Sequence, residues 1–301
     1  MIPEQSSRPG GLTQAIAAYS LWGLMPLYIG LLNHFPAFEL VGWRIIFTLP
    51  VCLIIVAARS QGRELLAAIR NPRVIGLLAG SALVIGANWL IFTFAVYSGH
   101  VFATSLGYYI NPLINVLAGT VFLRERLSPR QWLAVAITAA GVTLLAWDAL
   151  EMLGISLALA LTFACYGLIR KFAPVGSLPG LTIESSLLLL PAAGIVLWSA
   201  NSPSGSSFGY DTTIDLLVVA SGVVTATPLL LFAIAARRME LSALGFVQFI
   251  APTMQFLTGL LIFHEPLMPV QFVCFVIIWG AIAIFCWDLW AKRERRRTAE
   301  T

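Results

Sequence analysis

Arg124-Glu125-Arg126-Leu127-Ser128-Pro129-Arg130-Gln131 returns 140 residues later as His264-Glu265-Pro266-Leu267-Met268-Pro269-Val270-Gln271, with Glu, Leu, Pro and Gln kept and all three Arg positions lost. The echo extends on both sides. Leu90 to Asp148 aligns without gaps on Leu230 to Asp288, and 15 of the 59 positions are identical, among them Pro112 with Pro252, Gly119 with Gly259, and Trp147-Asp148 with Trp287-Asp288. Upstream, Trp22-Gly23 is echoed by Tyr166-Gly167. The chain therefore reads as two copies of one unit, 1–149 and 150–301.

What the unit is made of follows from composition. The 301 residues are 59% hydrophobic and only 11% charged, against about 25% charged in ordinary soluble domains. Ten apolar runs, roughly 12–32, 38–58, 74–96, 101–123, 130–147, 152–170, 180–200, 213–236, 241–263 and 269–290, are each close to the length that crosses a bilayer as a helix. They are continuous rather than alternating with period two, so they predict an all-α membrane protein and not a transmembrane barrel. The first run lacks a short apolar core with a small-residue cleavage site and is expected to remain as a span.

Ten spans make five per unit. An odd number turns the second unit upside down relative to the first, and the charges agree. If the N-terminus is cytoplasmic, Arg8, Arg59, Arg63, Arg70, Arg73, Arg124, Arg126, Arg130, Arg170, Lys171, Arg237, Arg238, Lys292, Arg293, Arg295, Arg296 and Arg297 all fall in or beside inner segments. The C-terminus is then cytoplasmic too. The three Arg around Glu125 belong to an inner loop, and their loss around Glu265 marks an outer one. A pI near 9 then reflects positive charge beside anionic lipid, not a nucleic-acid surface. Inverted repeats are the usual signature of alternating-access transporters, whose substrates bind near the midplane between the repeats.

Arg44 is the one basic residue outside the inner segments. A charge at membrane depth is costly and is a functional candidate by default. At 1.5 Å rise per residue, Arg44 lies roughly 9 Å below the outer surface, Asn88 roughly 12 Å, and Tyr108 and Asn111 roughly 10 to 15 Å. The four share a depth band on three helices of the first unit. In the second unit Gln248 takes the position of Tyr108, and Gln255 that of Asn115. These residues are the candidate lining of a central cavity, with Arg44 suited to a carboxylate. Two plainer readings stand beside it: Arg44 snorkels to the outer headgroups, and the amides bond helix to helix. Pro112 and Pro252 remove backbone donors in mid-span and are candidate gating kinks. Glu125 and Glu265 are expected to cap the fifth and tenth spans, with a gate role open to both.

Other carboxylates are expected at span ends, Glu39 outside and Glu184 inside, so no proton relay is evident. Glu39 or a carbonyl is a candidate partner for Arg44. Gly76 and Gly80 have the spacing of a close helix contact. The four cysteines show no C-x-x-C pair, and the three histidines are far apart, so no metal or organic cofactor is implied. No HExxH motif or Ser/His/Asp set suggests an enzyme; a non-transporting membrane scaffold is the alternative to a permease.

The motifs resemble a known family. Asn88-Trp89-Leu90, Ser105-Leu106-Gly107-Tyr108-Tyr109-Ile110-Asn111-Pro112-Leu113, Arg124-Glu125-Arg126-Leu127 with Gln131-Trp132-Leu133-Ala134-Val135, Tyr166-Gly167-Leu168-Ile169-Arg170-Lys171 and Leu241-Ser242-Ala243-Leu244-Gly245-Phe246 look like the RarD branch of the EamA-type transporters, in the drug/metabolite transporter superfamily. The resemblance implies ten helices in a 5+5 inverted arrangement at the inner membrane, and a permease for a small organic metabolite or drug.

Overall fold

In the computed structural model, the described residues are 11–32, 35–97, 101–147, 150, 153–203, 205–262 and 269–299. Among them the chain forms thirteen helical segments and no strand: α1 Gly11–Gly23, α2 Met25–Gly30, α3 Ala37–Ala58, α4 Gly62–Ile69, α5 Pro72–Tyr97, α6 Val101–Phe122, α7 Pro129–Trp147, α8 Leu153–Phe172, α9 Ser177–Ala200, α10 Thr212–Arg238, α11 Leu241–Gln248, α12 Ile250–Leu261 and α13 Pro269–Ala299. Every apolar run of the sequence is occupied by helix. α3, α5, α8, α9 and α10 are long and apolar enough to cross a membrane, and the apolar stretches Leu106–Phe122 of α6 and Phe272–Asp288 of α13 are shorter.

The helices are apolar on both their buried and their exposed faces. Leu83, Leu190, Trp198 and Leu216 point outward and are well exposed, while Ser81, Thr138, Ser156, Ser221 and Ser242 are fully buried. A helix that is hydrophobic all round needs either a large core or lipid around it. With exposed leucines outside and hydroxyls within, the surrounding medium is hydrocarbon.

Local sequence explains the ends and the breaks. Asn71 precedes Pro72 and accepts from the N–H groups of Arg73 and Val74, capping α5 with proline at its first position. Asp211 does the same for α10 through Thr213 and Ile214. The first run is broken between α1 and α2 because Pro26 has no N–H for the carbonyl of Trp22. The ninth is broken between α11 and α12, where Pro252 leaves the carbonyl of Gln248 in the same position. At this second break the Phe249 N–H falls back on the Phe246 carbonyl at 3.3 Å, and regular bonding resumes from Thr253 to Phe249. Pro112 behaves differently: α6 runs through it unbroken. The two matched prolines thus sit in differently formed helices, one divided and one continuous.

The packing mixes the two halves throughout. α3 lies against α9 and α10, α5 against α8 and α9, α1 against α10, α11 and α12, α6 against α8 and α11, and α7 against α13. Between α3 and α10 the approach is so close that a Cβ on Gly222 would stand 2.3 Å from the carbonyl oxygen of Phe47. Gly76 and Gly80, by contrast, have nothing within 4 Å of a Cβ position, so among the described residues they bring no helices together. In a bilayer, where helices gain little from leaving lipid, such close packing is a main source of association. Gly222→Ala is therefore expected to force α3 and α10 apart and to cost about 1–3 kcal/mol, read as a lower melting temperature in detergent; Gly76→Ala on the open face serves as the control and should leave it unchanged.

Candidate functional site

The amides singled out in the sequence are brought together, and each finds a partner on another helix. Asn88 of α5 donates to the Leu159 carbonyl at 2.9 Å and to Thr162 Oγ1 at 2.8 Å, both on α8. Asn111 of α6 donates to the Ala160 carbonyl at 2.7 Å. Asn115 bridges Asn111 Oδ1 at 3.0 Å and Gln248 Oε1 at 2.9 Å, and Tyr19 Oη of α1 stands 3.5 Å from the same Gln248 oxygen. Asn115 Oδ1 alone is left buried without a partner. Gln255 of α12 donates at 3.2 Å to the Trp22 carbonyl, the group that Pro26 freed. The helix-to-helix reading of these amides is the one the geometry realises: they join α1, α5, α6, α8, α11 and α12 across the two halves.

Glu125 is a cap, but of a different helix from the one expected. Its Oε1 accepts from the Leu241 N–H at 2.6 Å, and its Oε2 from the Ser242 N–H at 2.9 Å and hydroxyl at 2.6 Å. It thus closes the N-terminus of α11, where free N–H groups and the positive end of the helix dipole favour a carboxylate. The cap of α7 is supplied instead by Ser128 and Gln131, which bond each other's backbone N–H groups in a reciprocal capping box. Gly119 makes room, since a Cβ there would stand 2.4 Å from Glu125 Oε2. Glu265, His34, His100 and His264 lie outside the described residues.

Arg44 turns inward. Its Nε donates to Thr225 Oγ1 of α10 at 3.0 Å, and its Cζ stands 6.0 Å from the ring centroid of Trp89 on α5, a distance at which the ring face still attracts the cation. Tyr28 of α2 and Tyr108 of α6 lie within electrostatic reach of the guanidinium. Tyr108 rests its ring on Phe92, and Tyr28 donates to the Leu217 carbonyl at 2.7 Å. Glu39 is not the partner of Arg44. Its two oxygens hold the loop before α10, accepting from Ser199 Oγ, Ser206 Oγ and the Ser207 N–H, and also from Trp43 Nε1. Trp43 in turn stacks between Phe47 and Phe208, a packing role. Among the described residues no carboxylate reaches the Arg44 guanidinium, and its two Nη groups make no hydrogen bond.

One centre was missed in the sequence. Glu184, expected at the inner end of its span, stands seven residues into α9, roughly 10 Å along the axis, and is 2% exposed. It forms a buried ion pair with Arg170 of α8 at 3.5 Å. Arg170, counted with the inner charges, is itself 1% exposed. A narrow cleft runs from Glu184 and Ser185 past Tyr166, Leu181 and Ile85 to Trp89, the residue beneath Arg44. It has room for about one water. The pairing of Arg170 at the end of one run with Glu184 two turns into the next was the available signal.

The sequence model of the EamA-like transporter family matches residues 9–147. An uncharacterized transporter of Pseudomonas aeruginosa is 42% identical over 288 residues, covering 95% of this chain and 96% of that one. Protein RarD of Escherichia coli is 40% identical over 291 residues, covering 96% and 97%. The chain belongs to the RarD branch of the EamA-type transporters. A chloramphenicol-sensitive protein RarD of P. aeruginosa is more distant, at 29% identity over 95% of this chain. A solved crystal structure with 22% identity superposes with a TM-score of 0.71 over 93% of this chain and 98% of that one, a likeness of fold. This RarD-branch protein is thus a membrane transporter, of a family not defined by catalysis.

The two kinds of polar contact differ in strength. Asn115→Ala in this transporter should cost about 1 kcal/mol or less, as interhelical bonds in membranes usually do. Glu125→Ala removes a charged cap and should cost about 1–2 kcal/mol. Thermal unfolding of the two variants beside wild type gives the order, and equal costs would remove the capping argument.

Proposed function

We propose that this protein is an inner-membrane permease that moves a small organic solute by alternating access, and that Arg44 receives a carboxylate or other anionic group of that solute. The observation that carries the reading is the state of Arg44: a guanidinium held by Thr225 and the face of Trp89, with no counter-charge among the described residues and both Nη groups free. A fork of N–H donors left open in a helical bundle fits a planar anion. Tyr28 and Tyr108 flank it and supply hydroxyls for further hydrogen bonds. Asn88, Asn111, Asn115, Gln248 and Gln255, already engaged between helices, hold the frame around the site.

The proposed frame has ten spans as two inverted units, 1–149 and 150–301, with both termini in the cytoplasm. Supporting it, the helix pairings exchange with the halves. With α1 and α2 equivalent to α8, α3 to α9, α5 to α10, α6 to α11 and α12, and α7 to α13, the contact of α3 with α10 answers that of α5 with α9, and α1 with α10 answers α5 with α8. The pairs α3 with α9, α6 with α11 and α7 with α13 map onto themselves. The proposed gates are the inner contact of Glu125 with α11 and the broken helix at Pro252; Pro112 and Glu265 are their repeat-related positions. The water-sized cleft fits an occluded conformation.

Two measurements test this reading. A solute bound at 100 times its Kd stabilises the folded state by about 2.7 kcal/mol, so organic anions should raise the melting temperature of wild type and not of a folded Arg44→Gln variant. An unchanged response in Arg44→Gln would take the site away from Arg44. For orientation, a cysteine at Asn201 should react in intact cells with a maleimide that cannot cross membranes, and one at Gln61 should not; the reverse pattern would invert the topology.

A further inference from the structure

The Arg170–Glu184 pair is built in an unusual way for a structural ion pair. Its two charges are taken almost wholly out of water, yet they meet through a single 3.5 Å contact. Arg170 adds one further bond, to the Ser177 carbonyl at 2.9 Å. Arg170 Nε and Glu184 Oε2 are both buried and without any hydrogen-bond partner. A buried pair offsets its desolvation only when geometry is good and the remaining polar atoms are satisfied. This one leaves two unsatisfied, and the free carboxylate oxygen belongs to a residue lining the cleft. Gly180 borders the guanidinium closely: a Cβ there would lie 2.2 Å from Arg170 Nη1, so a larger residue would displace it.

The surroundings of Glu184 define what it can exchange. From α3 it faces the Cys52 thiol, and from α8 the Tyr166 hydroxyl beside Arg170. From α5 it faces the Ser81 hydroxyl, which is fully buried and makes no hydrogen bond of normal geometry. On α10, Arg237 bonds the Val175 carbonyl and acts on Arg170 from the far side, and Glu64 of α4 accepts from the Gly176 N–H and attracts Arg237. Among the described residues, no second carboxylate stands among the groups that face Glu184. The cleft beside it admits about one water, which suits a proton carrier and excludes a larger ligand.

Resting on the transport reading, we propose that Glu184 is the proton site of this transporter, with Arg170 as its resident counter-cation. A hydronium ion in the cleft gives its proton to Oε2, an O–H bond forms, and a water molecule remains. The neutral acid no longer balances Arg170. A buried guanidinium without a counter-charge is strongly unfavourable, so protonation favours the conformation in which water reaches the α8–α9 end of the bundle. Loss of the proton to that water restores the pair and closes the end again. Arg44, over the ring of Trp89 that lines the cleft, and Glu184, which lines it too, would then read the solute and the proton separately.

The test uses the full chain in lipid nanodiscs, with acidification itself as the probe. Infrared difference spectra should show a protonated-carboxyl stretch that grows on acidification, is lost in Glu184→Gln and is shifted in Glu184→Asp, the variant that serves if the amide fails to fold. Hydrogen exchange across 165–185, corrected for intrinsic rate, should quicken in acid for wild type and be fast at both acid and neutral pH in Glu184→Gln. A spectrum that is the same in wild type and Glu184→Gln, or in Glu184→Asp where that variant stands in, overturns the proposal. So does a band without any change in exchange. Thermal response to organic anions, read on the same samples, separates the two ideas: a proton-linked opening with no anion response removes the solute site at Arg44 and leaves the proton site standing.

Discussion

A peptide or amide group freed inside hydrocarbon has no water to turn to, and most of this architecture answers that constraint. Proline breaks the first apolar run at Pro26 and the ninth at Pro252. At the first break the orphaned Trp22 carbonyl is met by Gln255, a residue from the helix that carries the second. At the start of α11 the free N–H groups are met by Glu125, from the other half of the chain. These two defects, one in each half, are mended by side chains of the other half. That holds the two halves in register more specifically than apolar contact, which in lipid offers little preference of its own.

The same economy separates structural polarity from functional polarity. Asn88, Asn111, Asn115, Gln248 and Gln255 look alike in sequence to substrate ligands, and each makes at least one hydrogen bond to another helix, although Asn115 Oδ1 is left without a partner. Among the charged groups, Arg170 Nε and Glu184 Oε2 are buried without a hydrogen-bond partner, and Arg44 bonds only through its Nε among the described residues. The two cations each contact a residue that lines the cleft, Trp89 for Arg44 and Glu184 for Arg170, yet they are held differently. Arg44 leans on a hydroxyl and an indole face, which leave its charge available. Arg170 is neutralised by a carboxylate and confined by Gly180. A transporter needs sites that are stable but not finished, and unfinished valence is the physical form that requirement takes.

Helix breaks and close contacts also bear on motion. α11 is only eight residues long and is pinned at one end by Glu125 and at the other by the Gln248–Asn115 bond. Releasing either end would free a short rigid rod rather than bend a long one. α6, which carries the matching Pro112, runs through it as one helix. Two units alike in sequence therefore differ in conformation where they carry the same proline, as two halves of an asymmetric, occluded conformation would.

The sequence by itself determined the helical class, the approximate extent of each apolar run, the family, and Arg44 as an outlier. These follow from residue counts, from the period of the hydrophobic pattern and from the cost of a lone charge in lipid, all local or additive properties. It could not tell an amide that lines a cavity from one that bonds a neighbouring helix, because Asn88 and Gln255 look the same until the facing carbonyl is placed. It assigned Glu125 to the helix that follows it in the chain, whereas the carboxylate reaches a helix more than a hundred residues away, and Ser128 and Gln131 cap the nearer one. It read Arg170 and Glu184 as charges near span ends, since distance along the chain does not reveal that α8 and α9 fold them inward onto each other. Partnership and burial are properties of pairs brought together by folding, and only the tertiary structure decided them.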